Sequence, residues 1–209
     1  MRRPASALLA LAPLMALGGT ADPDALLARI ARPAPATTPF VEVRFSSLLA
    51  TPLVASGELQ FRSAGAIGKR IDHPYHEQMD IRGQDVSVVR EGEPPRHFSL
   101  RHVPELRGML SAFGALLSGD RSALERFFQL DLTEEAESWT LALTPRDARL
   151  SKRLREVVVT GRTDTPRCLT VTEADGDASV MLLGDAGLGG LPDPLDLLRL
   201  DHRCRAAEL

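Results

Sequence analysis

The sequence is poor in aromatic residues: seven Phe, one Tyr and one Trp make up 4% of its 209 positions. That excludes a ring-stacking platform for bases, and any apolar surface must be built mainly from aliphatic side chains. Excess positive charge is also missing. Lys and Arg number 25 against 28 Asp and Glu, a formal net charge of -3, which with no basic cluster excludes an electrostatic nucleic-acid binder. Catalytic signatures are lacking too: there is no Gly-x-Ser-x-Gly elbow, and no Ser or Cys stands in an activating context. Gly187-Leu188-Gly189-Gly190 neither leads a strand into a capped helix nor carries a phosphate-binding Lys, and reads as flexible tail. The acid pairs Glu134-Glu135 and Asp175 with Asp177 fall in turns. The densest titratable cluster, His73-Pro74-Tyr75-His76-Glu77, sits in a strand-to-strand turn, where the spacing of a helical zinc motif has no geometric meaning. It reads as solvated turn, with no metal.

Long hydrophobic runs are absent after the first residues. The longest uncharged stretch follows Met1-Arg2-Arg3; its apolar part, Pro4 to Leu17, is shorter than the ~20 residues a membrane span needs and is interrupted by Pro13. A basic start, a short apolar centre and small residues at Gly19 and Ala21 predict a secretory signal peptide over residues 1–21. Residues 22–209 then form one exported domain of net charge -5, since Arg2 and Arg3 leave with the leader. Cysteine is scarce, but in an exported chain the pair Cys168 and Cys204 favours a disulfide over two idle thiols. Such a bridge would pin a Gly- and Pro-punctuated tail, residues 184–209, to a strand.

What the chain does have is alternation. Phe40-Val41-Glu42-Val43-Arg44-Phe45-Ser46 puts Val41, Val43 and Phe45 on one face and Glu42, Arg44 and Ser46 on the other, the period of a strand. Strands are expected near 40–48, 53–63, 67–71, 77–81, 85–90, 96–101, 129–133, 138–144, 156–161, 168–173 and 178–183. The joints are short and turn-rich, so the sheet is antiparallel. Three helical patterns interrupt it. Asp22-Pro23 opens a short helix carrying Leu26, Leu27 and Ile30. Leu106, Met109, Leu110, Phe113, Leu116 and Leu117 form one stripe after Pro104, and Asp120 caps a helix with Leu124, Phe127 and Phe128. A short helical turn is also expected near 146–154, and residues 32–39, with three prolines, read as a linker. Few helices against a long antiparallel sheet make an α+β fold in which the sheet curls into an unclosed half-barrel with helices across its mouth.

Such a sheet has more inward apolar surface than its short helices cover, and an acyl chain could take the surplus. Transferring about sixteen carbons from water releases roughly 13 kcal/mol, at about 0.8 kcal/mol per methylene. A helix displaced by cargo would bring the net affinity into a reversible range.

On these residues the sequence resembles the LolA family, periplasmic carriers of outer-membrane lipoproteins, and within it the divergent branch associated with aryl-polyene and other lipid export. The residues that carry the likeness are Phe40 to Phe45, Ala55-Ser56-Gly57-Glu58-Leu59-Gln60-Phe61 with the family's Gly-x-Leu, Gln84 to Val89 after the Gly83 turn, and Ser138 to Pro145, ending in Thr-Pro. The resemblance implies a monomeric periplasmic carrier without cofactor or catalysis. Its partners would be lipid or acylated-protein cargo, an inner-membrane donor and an outer-membrane acceptor. The family's latch Arg, in an Arg-Pro pair, has no match at Ser63-Ala64; Arg62 lies one place earlier, on the other face of the strand. On this reading the cavity is lined by Val43, Phe45, Leu59, Phe61, Met79, Ile81, Val88, Phe98, Leu100 and Trp139. Leu106, Met109, Leu110, Phe113 and Leu117 form its lid. The alternatives are an interaction module whose helices complete a filled core and, last, a hydrolase using His76 and Glu77.

Overall fold

The computed structural model describes residues 21–63, 65–102, 110 and 113–206. Most of the expected signal peptide, and Leu106 and Met109 of the expected lid, lie outside the described residues. Eleven strands form one antiparallel sheet: β1 Ala36–Phe45, β2 Leu53–Ser63, β3 Ala66–His73, β4 Glu77–Arg82, β5 Asp85–Arg90, β6 Arg96–Ser99, β7 Phe128–Glu135, β8 Ser138–Pro145, β9 Leu154–Arg162, β10 Thr165–Glu173 and β11 Ala178–Leu183. Their order is β6-β5-β4-β3-β2-β1-β11-β10-β9-β8-β7. Each strand pairs with its sequence neighbour except at one seam, where β1 meets β11 in the register Phe40 to Leu183 and Val43 to Val180. Two meanders are thus joined at β1 and β11, and the sheet is not closed: β6 and β7 are its free edges.

β1 begins at Ala36, inside the stretch expected to be a linker, and contains Pro39. Proline has no N–H to give a ladder. Pro39 sits one place beyond the last β1–β11 pair, Phe40 with Leu183, and its carbonyl still accepts from the Gly184 N–H at 2.8 Å, so the missing donor falls at the end of that ladder.

Helices cover both faces. Toward the inner face pack α1, Pro23–Ile30, and α2, helical over residues 113–118; α3, Arg121–Glu125, and α4, Ala148–Ser151, complete this layer. Aspartates cap three of them: Asp22, Asp120 and Asp147 accept backbone N–H bonds from Asp24, Ala123 and Arg149 respectively. The Ala123 N–H and the Ser122 hydroxyl hold the Asp120 carboxyl below the usual carboxylate range. That contribution is therefore present above the ordinary carboxylate pKa and is lost as pH falls through the lowered one. Leu26, Leu27, Ile30, Leu116, Leu124 and Leu150 meet Trp139, Leu141, Leu143, Val157 and Val159 in a buried core over β8 and β9.

The outer face is covered by the segment expected to be a flexible tail. It forms α5, Asp185–Leu188, and α6, Leu197–Arg205. Leu200 and Cys204, one turn apart on α6, pack with Ala186 onto Val43, Val180, Leu182 and Cys168. A disulfide joins Cys168 of β10 to Cys204 of α6, with Cα atoms 5.6 Å apart. Its loop spans 36 residues, which in the chain-entropy model corresponds to about 3 to 4 kcal/mol. The double variant Cys168→Ser, Cys204→Ser is expected to lose that much stability in urea unfolding, with the far-ultraviolet β signal retained at zero denaturant. An unchanged midpoint would mean that packing alone holds α6.

Candidate functional site

The core under α1 to α4 fills the inner face over β8 and β9, but not over the middle of the sheet. There a cavity of about 980 Å³ opens between β1 to β4, β10 and β11 on one side and the helical segment on the other. Its wall is built in rungs. Phe61, Ile67 and Ile81 stand opposite one another across β2, β3 and β4, and Leu59, Lys69 and Met79 make the next rung. Met181 and Leu183 of β11 and Leu169 and Val171 of β10 continue the surface, while Leu110, Phe113 and Leu117 close it from the helical side. Arg32 and buried Arg167 stand toward one end, Arg44, Arg153 and Glu173 toward the other.

Of the residues expected to line a cavity, Leu59, Phe61, Met79 and Ile81 are at the wall, as are Leu110, Phe113 and Leu117 from the expected lid. The others are placed elsewhere. Val43 and Phe45 project from the opposite face of the sheet, into the layer beneath α6. Alternation assigned them correctly to one side of β1, but that side is the outer one, and Glu42 and Arg44 face the cavity instead. Val88 and Leu100 are on the inner side but buried together with Ile81 and Val86, where Leu110 packs against them. Phe98 lies on edge strand β6, 41% exposed. Trp139 is buried in the core over Gly161, with its indole Nε1 donating to the Thr163 carbonyl at 3.1 Å. Any Cβ at residue 161 would fall 2.2 Å from the indole, so glycine is required there.

Lys69 and Glu42 were not anticipated. The Lys69 ammonium donates to Glu42 Oε2 at 2.5 Å, both side chains being only about one-fifth exposed (21% and 19%). It also lies 5.1 Å from the centroid of the Phe40 ring. The signal in the sequence was Ile67-Gly68-Lys69-Arg70-Ile71, where a cation interrupts an otherwise apolar file at period two. Arg62, by contrast, is on the outer face, bonded to Asp80 at 2.6 Å and to Gln60. In the His73 to Glu77 turn, Arg90 donates to Glu77 Oε2 at 2.9 Å and stacks on the Tyr75 ring. Among the described residues no group of three or more His, Cys, Asp or Glu is placed to hold a metal ion. No helix among them is long and apolar enough to cross a membrane.

An unclosed antiparallel sheet with helices and a largely apolar cavity on its inner face is an open half-barrel. The family model described as outer membrane lipoprotein carrier protein LolA-like matches residues 16–194, and the chain belongs to that family. Solved structures similar to it include the LolA superfamily protein NE2245 from Nitrosomonas europaea, at 13% identity and a TM-score of 0.41, covering 84% of this chain and 97% of that one. LprF from Mycobacterium bovis matches at 13% identity and a TM-score of 0.36, covering 83% and 97%. A chain of the Pseudomonas aeruginosa MucA/MucB complex matches at 17% identity and a TM-score of 0.40, covering 78% of this chain and 56% of that one. No curated protein matches the sequence.

Wall and core positions differ in what they cost to change. Leu182→Ala, in the fully buried layer beneath α6, is expected to cost about 2 to 5 kcal/mol. Leu59→Ser, on the cavity wall, should shift the urea midpoint far less. Equal losses would place Leu59 in closed core.

Proposed function

We propose that the protein is a non-catalytic periplasmic carrier that takes the acyl chains of a lipid or lipoprotein into this cavity and moves them from an inner-membrane donor to an outer-membrane acceptor. The observation that carries the reading is the cavity of about 980 Å³, walled by largely apolar rungs on one side and by Leu110, Phe113 and Leu117 on the other. At about 30 Å³ for each water-sized unit, it holds on the order of thirty such units. A methylene is of similar size, so one or two chains of about sixteen carbons fit. Membership of the LolA-like family supports the same conclusion.

The carrier acts as a single domain over residues 22–209, after removal of residues 1–21, and works as a monomer. Aliphatic walls bind the chains through water exclusion, at about 25 cal/mol per Å² of apolar surface. Phe113 and Leu117 of α2 line the cavity, and α2 is anchored in the core through Leu116. Cargo that shifts α2 works against that packing, which lowers its net affinity and permits release.

Native mass spectrometry of the mature protein, drawn gently from a periplasmic extract of its host, is expected to show a stoichiometric lipid or acylated peptide that organic extraction releases. A bare mass that does not change after incubation with host membranes would overturn the reading. Phe113→Asp puts a carboxylate against the acyl chain, a burial that costs several kcal/mol. It should abolish cargo retention while leaving the β circular-dichroism signal intact. Retention equal to wild type would remove α2 from the binding surface.

A further inference from the structure

We infer that the cargo carries an anionic head group, a long-chain carboxylate, and that this head is held inside the cavity by the Lys69 ammonium. The inference rests on the carrier reading of the same cavity and narrows it to a ligand class.

Apart from Glu42, nothing around position 69 among the described residues calls for a charge. Its neighbours along the inner face of β3 are Ile67 and Ile71, and its cross-strand partners are Leu59 and Met79. A largely buried Lys–Glu pair is often no better for stability than an apolar pair of similar size. A purely hydrocarbon cargo would moreover bury that pair further with no compensating contact. An anionic head group supplies the contact. An ammonium offers three N–H donors; among the described residues one goes to Glu42, and donor capacity is left for a second acceptor. The Phe40 ring beside the ammonium holds it against the wall by cation–π attraction and leaves its far side to the ligand.

Glu42 then acts as the resident counter-ion. It neutralises Lys69 when the cavity is empty and competes with the incoming carboxylate when it is not. A carrier that must also let go of its cargo uses such a competitor to keep binding reversible.

Equilibrium dialysis of the mature protein with radiolabelled hexadecanoate and, separately, its methyl ester tests this. Wild type is expected to bind the carboxylate at least about tenfold more tightly than the ester, the usual scale for one hydrogen bond to a charged group. Lys69→Met should bring the carboxylate down to the level of the ester, and Glu42→Gln should widen the ratio by tightening the carboxylate alone. Ester binding by each variant reports that it has folded; should Lys69→Met not bind the ester, Lys69→Gln replaces it in the comparison. Equal affinities in wild type, or a preference that survives loss of Lys69, would overturn the inference while leaving the carrier intact. Failure of wild type to bind either ligand would instead overturn the carrier reading, and this inference with it.

Discussion

The pairing of β1 with β11 is the constraint on which the rest of the molecule depends. Every other ladder joins strands adjacent in sequence, so each meander could form from local contacts alone. Only this seam brings together strands from opposite ends of the described chain, and loop-closure entropy opposes such contacts. Once formed, it places the inner rungs of β2 to β4 beside those of β10 and β11, so that two half-walls face one space. The same seam is braced from outside. Val43, Val180 and Leu182 straddle it, and α6, tethered by the disulfide to β10, lies on them.

The uneven distribution of helices follows from that frame. Over β8 and β9 the inner face meets α1, α3 and α4 and is filled. Over β1 to β4, among the described residues, it faces Leu110 and the α2 side chains Phe113 and Leu117 across the cavity. Segment α2 belongs to both regions: Leu116 is buried in the filled core, whereas Phe113 and Leu117 look into the cavity. The helix is thus held by packing at one side and faces open space at the other.

The sheet was legible because alternation is a direct consequence of strand geometry, and all eleven strands were read close to their places. The choice of face was not. Alternation separates Val43 and Phe45 from Glu42 and Arg44 but does not say which set points inward. The usual rule, apolar inward, failed on β1 because its outer side is also covered. The cover itself was visible in principle: Leu197, Leu200 and Cys204 recur at helical spacing, and a bridge to Cys168 would have put α6 over the even-numbered positions of β10. Glycines and prolines in 184–194 obscured it. Trp139 was misplaced for a related reason, since the inner face is shared by cavity and core, and only tertiary structure divides them. Lys69 and Glu42 were passed over because charged residues in strands are ordinarily solvent-facing.

The free edges β6 and β7 bear on capacity. A closed barrel fixes its circumference through a complete ring of hydrogen bonds, and its lumen can grow only if some of them break. Here the ring is interrupted, and the gap between the two outermost strands can widen or narrow by small changes of twist spread over ten ladders, with every ladder bond kept. No closed ring of hydrogen bonds therefore fixes the volume of the container.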